Sequence, residues 1–549
     1  MPRDPKRLSA LNASHFERTA PHSSCVIYSA VPYEGMPIAS INSFEEALNP
    51  AHYRTVFQPF ALVVINNMTG ASLLVRDHIG VCPLYYHYQS GQLIFADTIP
   101  DIIHQLPKPP SLLDAELTHM FGDVQHYTDN TLYTGIYRVE PGTMVHIKPD
   151  GRIIKTAFWQ LEQEGETLHY RDAREYLEQF TTLMQASVKH ASQNTGDDTL
   201  AAEFSAGMDS TAIYGACDAL GLKPTLFMHT PLPGSSNAET YNNKYERAFM
   251  ARFPSAMIHR LMADDFDPIR IFKDHADWFG GPAPYIFELF ASNIHQAVVN
   301  TGHTRLLSGL GGDQGVSSHI PARFILPELL QNKQFQEAWA VLAGTRTLRR
   351  LMLLTQYAHP SLHAHIQRAQ GLKLNIRNAF KKPEQKQIAS THPYHHHYFK
   401  TLREVEWSFL QGPNSHAMRM RIEHSSIVGK KMGFEYRYPL LYPPLLEFFL
   451  SLPLSEKRHQ GLGRHLMRRY LGAILPTLPF DTYTKKEGIH ILPATMDTFK
   501  SQWDRGEFKN TFKSLPFEKL TQDKLPHKAM IKTIQAFMLK ESLNNRRTG

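Results

Sequence analysis

Three short segments of this chain carry side chains with chemistry to offer. The first is Ser205-Ala206-Gly207-Met208-Asp209-Ser210, which follows an apolar run, Leu200–Phe204, and leads into a helical pattern through Thr211, Ile213, Ala216 and Leu220. A small-residue turn between strand and helix leaves several backbone N–H groups aimed at one point, and the helix dipole adds partial positive charge there. Such a turn suits phosphate. Ser205, Gly207 and Ser210 form its cradle, the two serines as hydroxyl donors, and Asp209 could hold Mg²⁺ against the same oxygens. No Lys-Ser/Thr pair follows a glycine-rich loop, so this is not a Walker loop. The second segment, Gly309-Leu310-Gly311-Gly312-Asp313, follows the strand-like Arg305–Ser308. Its glycines let the backbone pass close to a nucleotide, where a Cβ would obstruct. Spacing of Gly309, Gly311 and Gly315 misses the dinucleotide-binding pattern. Were the two strands neighbours in one sheet, Asp209 and Asp313 would face each other and share Mg²⁺ on triphosphate oxygens. The third segment, Lys485-Lys486-Glu487-Gly488, reads in isolation as surface decoration.

Elements that would hold these segments are legible around them. From Leu200 onward strand candidates (Leu200–Phe204, Thr225–Met228, Met257–Leu261, Arg305–Ser308) alternate with helical patterns. That alternation implies parallel strands with right-handed crossovers, a doubly wound α/β sheet whose ligands sit beyond the strands' carboxyl ends. Upstream, Phe60–Ile65, Ala71–Val75, Tyr85–Tyr88 and Gln92–Ala96 are short runs separated by turn signals, an antiparallel β-rich layer structure. Asp172 and Glu175 have capping-box spacing before a helical face of Tyr176, Phe180, Met184 and Val188. The change of period places a boundary between domains 1–165 and 166–549. After about residue 325 the pattern is mostly helical, with a helical insertion at about 320–412.

Composition narrows the classes. The 549 residues, 42% hydrophobic and 20% charged, describe a globular protein large enough for two domains or more. A net charge of +7 and a pI near 9.0 suit ATP and pyrophosphate. No basic run with interleaved aromatics appears, so nucleic acid is not an expected partner. Three widely spaced cysteines (Cys25, Cys82, Cys217) argue against a disulfide framework and for a reducing compartment. The N-terminus is polar and the richest apolar stretch, Pro443–Leu454, is too short for a bilayer, so a cytoplasmic location without membrane contact is expected. The histidines His392 and His395-His396-His397 lack a Cys, Asp or Glu to complete a metal site and read as a solvated loop.

Taken together, the residues resemble a known family. Ser205–Ser210 resembles the Ser-Gly-Gly-x-Asp-Ser loop of ATP pyrophosphatases, with Ala206 in place of a Gly; those enzymes split ATP between its α and β phosphates and make an acyl adenylate. The three segments in this order look like the asparagine synthetase and β-lactam synthetase superfamily. Gly463-Arg464-His465-Leu466-Met467-Arg468, Arg421-Ile422-Glu423 and Gly433-Phe434-Glu435-Tyr436-Arg437-Tyr438-Pro439-Leu440-Leu441 resemble further family stretches. So does Arg76-Asp77-His78-Ile79-Gly80-Val81-Cys82-Pro83-Leu84-Tyr85-Tyr86 near the N-terminus. The resemblance implies a degenerate class II glutaminase-like antiparallel β-sandwich followed by an ATP-pyrophosphatase parallel sheet with a helical C-terminal part. It implies that the Ser205–Ser210 loop and Arg464 grip pyrophosphate, and that Asp209 and Asp313 hold Mg²⁺. It adds Met228 and Gly309 to the ATP-binding set, and has Lys486 stabilise the charge that develops as an amine attacks the adenylate.

Two departures shape the expected reaction. Glutamine-using members expose an N-terminal Cys; here Pro2 follows Met1, Cys25 is internal, and the Asn-Gly-Glu glutamine turn is missing. The attacking nitrogen is then expected to belong to the substrate. Leu310 stands where the family carries Glu or Tyr and cannot take a proton, so the base is either another residue, with Glu423 and Glu435 as candidates, or solvent. Ring-closing members without the nucleophile include lasso peptide cyclases. The resemblance to these implies a macrolactam synthetase that adenylates a side-chain carboxylate of a precursor peptide, which its own N-terminal amine attacks, with a leader peptidase as partner. A β-lactam-like closure of a small β-amino acid, or an ammonia-dependent asparagine synthetase, is the alternative.

Overall fold

The computed structural model describes residues 17–18, 25–30, 41–113, 127–193, 199–230, 244–262, 267–280, 287–316, 320, 322–343, 345–366, 398–459 and 462–478. The N-terminal part stacks two antiparallel sheets. One has six strands in the order β1 (Glu17–Arg18), β2 (Cys25–Ser29), β3 (Ala61–Asn66), β4 (Ser72–Arg76), β8 (Thr143–Ile147), β9 (Ile153–Ala157). The other orders β6 (Gln92–Ala96), β5 (Tyr85–Gln89) and β7 (Ile136–Arg138). Strand β3 is buried on both faces, which is why it reads as a continuous apolar run rather than an alternation. Ala61, Val63 and Ile65 pack toward the three-stranded sheet, with Tyr85, Leu93 and Phe95. Leu62 and Val64 face a second core around Tyr53, Phe60 and Phe158.

Helix α1 (Ala173–Ser192) opens the second part with the capping box in place: Asp172 accepts from the Arg174 amide at 2.8 Å and its own amide donates to Glu175 at 3.1 Å. Tyr176, Phe180, Met184 and Val188 form its buried face as their spacing predicts. A five-stranded parallel sheet follows, in the order β12 (Ile258–Met262), β11 (Thr225–Thr230), β10 (Leu200–Glu203), β13 (Arg305–Leu307), β14 (Glu435–Arg437). The chain leaves central β10 toward β11 and β12, then returns to build β13 and β14 on its other side. The seam between β10 and β13 is therefore the topological switch point, where such sheets bind ligands.

Four of these strands match their sequence patterns. The fifth, β14, lies beyond residue 325, where a mostly helical chain is expected, and is too short to show a period. Helix α2 (Met208–Ala219) leaves the first loop, and α3 (Phe287–Asn300) precedes β13. The later helices include α4 (Phe335–Ala340), α5 (Thr347–Tyr357), α6 (His416–Met432) and α7 (His465–Ile474). The part of the helical insertion at 367–397, including the histidine cluster, lies outside the described residues.

Candidate active site

Strand β10 ends at Glu203 and helix α2 starts at Met208, so Ser205–Gly207 turn the chain at the switch point. Gly207 is the N-cap and gives no side-chain cap, so the N-terminus of α2 opens directly onto the turn. Ala206 makes the turn in the left-handed region, φ 50°. Ser210 Oγ is fixed from three sides: it accepts from the Ser205 amide at 3.3 Å, donates to Gly207 O at 3.3 Å, and lies 3.5 Å from Ser205 Oγ. Ser205 is exposed. One serine is thus a fixed wall of the cradle and the other is open to a ligand.

The second loop lies against the first. A Cβ on Gly312 would stand 2.5 and 2.8 Å from the Asp209 carboxylate oxygens, and Gly311 turns at φ 94°. The close approach requires glycine there. Arg464 closes the group from a third element, at the entrance to α7. Its guanidinium pairs with Asp313 and lies 3.7 Å from Asp209 Oδ2, with only 8% of the side chain exposed. Arg464 itself adopts φ 66°, unusual for a residue with a Cβ. Three side chains, each more than a hundred residues from the next in the chain, meet over two glycine turns.

The donor set fits a nucleotide and its cation. Two carboxylates could share Mg²⁺ with phosphate oxygens and water, the coordination this ion favours over an all-protein cage. Among the described residues no cluster of three or more His, Cys, Asp or Glu side chains forms such a cage. Asp209 and Asp313 keep 21% and 37% of their side chains exposed, so both can reach a ligand.

Other expected site residues fall elsewhere. Met228 lies on β11, and its side chain is fully buried in the sheet core. Lys486 lies outside the described residues. Glu423 is enclosed by partners of its own. It sits on α6 with 1% of its side chain exposed, and both carboxylate oxygens are taken. Tyr85 donates to it at 2.6 Å, Tyr127 at 2.8 Å, Arg76 at 3.1 Å, and Arg138 lies 3.5 Å away. Burial alone would raise its pKa, but the Arg138 and Arg76 charges and the Tyr85 hydrogen bond hold the carboxyl down to about 2. Such a group is a poor proton acceptor and has no free oxygen to offer. Its role is to join the two halves of the chain. Glu435 is engaged too, with Arg437 at 2.7 Å and Arg305 at 2.9 Å. Leu310 is buried in the core, with its amide 3.3 Å from Ser308 Oγ.

A hub that motif reading passes over holds the two loops in register. Glu203, the last residue of β10, accepts from Ser308 at 2.5 Å and from Tyr436 of β14 at 3.1 Å. His295 of α3 contacts the Tyr436 hydroxyl at 2.6 Å, and Arg421 of α6 lies 4.0 Å from the carboxylate. Burial pushes the His295 imidazole down to about 3, so it is neutral; because the Tyr436 hydroxyl donates to Glu203, it accepts from the Nε2–H tautomer of His295. Ser308 immediately precedes Gly309, so one carboxylate ties β10 to the glycine turn after β13. The signal was present: Leu-Ala-Ala-Glu-Phe places a charge in an otherwise apolar central strand.

Comparison with known proteins agrees with this geometry. A family model described as glutamine amidotransferase domain matches residues 47–159, and one described as asparagine synthase matches residues 179–502. A search of curated proteins returns no significant match. The second family match covers more than half of the chain and includes both glycine turns and Arg464. This chain belongs to the asparagine synthase family and is an ATP-dependent, AMP-forming carbon–nitrogen ligase.

Proposed function

We propose that this ligase is a macrolactam cyclase of the lasso peptide type. It adenylates a side-chain carboxylate of a processed peptide and joins it to that peptide's own N-terminal amine. The observation that carries the choice of amine is the state of the thiols. Cys25, Cys82 and Cys217 are all buried, and burial pushes the Cys82 thiol up to about 12. A glutaminase needs an accessible thiolate. The nitrogen is then supplied by the substrate. A peptide is favoured over a small β-amino acid by the size of the helical part of the chain, which builds its own core from Phe324, Leu326, Leu329, Tyr357, Leu402 and Val405.

In this reading the N-terminus of α2, Ser205 and Arg464 receive the β and γ phosphates, and the two aspartates orient them. Mg²⁺, held by Asp209 and Asp313, would supply charge neutralisation for the departing pyrophosphate. Arg464 gives up part of its pairing with the aspartates as phosphate arrives, so its charge is pre-positioned rather than recruited. Lys486 would donate to the tetrahedral oxyanion. A leader peptidase that frees the amine is the partner this reaction requires, in the reducing cytoplasm that free thiols suit.

The test uses ATP, Mg²⁺ and a synthetic leaderless peptide with a free N-terminus and an Asp or Glu at the ring position. The expected result is AMP and pyrophosphate in step with the loss of one water from the peptide by mass spectrometry. Glutamine-dependent amidation of free aspartate, or closure of a small β-amino acid with peptides left unchanged, would replace this reading.

A further inference from the structure

The helical insertion presents a surface with no part in the adenylation site. Helices α4 and α5 turn large apolar side chains outward: Phe335 is 63% exposed, Trp339 40%, Leu348 73%, Leu351 51% and Met352 63%. Apolar side chains exposed together, rather than singly, mark a place of interaction. Leu348, Leu351 and Met352 stand at i, i+3 and i+4, one stripe on α5. The Arg350 guanidinium lies 5.1 Å over the Trp339 ring and joins the two helices into one surface. Arg346 and Arg349, both exposed, frame the stripe.

Charge defines what the surface fits. From residue 338 to residue 383 the chain has eight Lys and Arg and not one Asp or Glu, against a net charge of +7 for the whole protein. Five of these eight, Arg368, Lys373, Arg377, Lys381 and Lys382, fall after residue 366, and Lys386 and Glu384 are the only further Lys, Arg, Asp or Glu up to residue 397; α4 itself carries Glu337. This stretch of sequence therefore supplies almost no acidic counterpart of its own. Apolar anchors set among arginines are complementary to a ligand with carboxylates beside apolar groups.

We propose that this surface docks an acidic amphipathic peptide segment. Leu, Ile or Phe side chains of that segment lie on the Leu348–Leu351–Met352 stripe, and its Asp or Glu side chains meet Arg346 and Arg349. This is recognition of a short helix face, read through anchors at helical spacing. A bilayer fits less well, because exposed Thr355 ends the stripe where the next apolar position falls, and interfacial helices carry longer apolar faces. Nucleic acid fits less well, because the stripe itself is aliphatic and Arg350 already lies over the Trp339 ring. The proposal does not depend on which carboxylate the ligase adenylates.

Binding is read by fluorescence anisotropy on the full chain with two labelled, helix-forming probe peptides. Both carry Leu at i, i+3, i+4 and i+7; one has Glu and the other Lys at the flanking positions. The Glu probe is expected to bind saturably and more weakly as sodium chloride is raised, and the Lys probe not to saturate. The double variant R349E/L351S is expected to weaken the Glu probe by about tenfold or more. Calorimetric binding of Mg·ATP should stay unchanged, which separates a lost docking surface from a damaged ligase. Equal binding of both probes, full retention by R349E/L351S, or a preference for phosphatidylserine vesicles or a single-stranded oligonucleotide would overturn the proposal.

Discussion

Replacing Glu423 by Ala removes the one carboxylate that Arg76, Arg138, Tyr85 and Tyr127 share. Arg76 and Arg138 stay buried without their counter-charge, a loss that typically costs about 3–5 kcal/mol. The titration of Glu423 gives a similar figure. Its pKa falls from 4.5 to about 2 on folding, which at 1.36 kcal/mol per unit corresponds to about 3 kcal/mol. Because the folded pKa is the lower one, this stabilisation is complete above about pH 4.5 and disappears as pH falls through about 2. Equilibrium unfolding in urea, followed by fluorescence and far-UV circular dichroism, measures it. E423A should lower stability by about 3–5 kcal/mol and abolish the pH 2–4.5 dependence that this group contributes. Since the partners lie in the N-terminal half, the variant should also uncouple the two halves, so that the two probes no longer coincide. An E423A protein with the parental midpoint would refute the reasoning. So would a stable E423Q protein that makes AMP normally yet never forms the amide, because that is the signature of a lost base.

Three further substitutions test the site itself. Arg464→Met removes the cation between Asp209 and Asp313, and AMP release should fall by about 10²–10³-fold, as for the loss of one preorganised donor; a loss below tenfold would take Arg464 out of pyrophosphate handling. Gly312→Ala drives a methyl group into the Asp209 carboxylate at a buried turn, so AMP release should drop more than about tenfold; unchanged turnover would mean that the two loops do not touch. Ala206→Gly relieves a left-handed alanine, φ 50°, and should raise stability by roughly 1 kcal/mol; a lowered midpoint would show that the turn is not strained by its Cβ.

Much of this arrangement is visible in the sequence because its signals are local. The β10–loop–α2 unit announces itself through an apolar run, a small-residue turn and a helical period within twenty residues. Asp209 and Asp313 follow from the rule that two such loops meet at a switch point, and the sheet order places both beside it. Arg464 has no local signal and was reached only through family likeness. The enclosure of Glu423 is not legible in the sequence, because the partners that surround it lie more than 280 residues away in the chain. Strand β14 escaped because three residues cannot display a period of two. The role of Lys486 rests on resemblance, outside the described residues.

The buried charge between the halves constrains how this protein can change over time. A loop on the rim of the sheet can be lengthened or rewritten without disturbing its neighbours. The amino-terminal sandwich has no such freedom: cutting it away would strip Glu423 of all four partners and bare the apolar face of helix α6, Ile427 and Val428, that the sandwich covers. Whatever work that sandwich once performed or has since abandoned, the ligase must keep it as ballast or first lose Glu423.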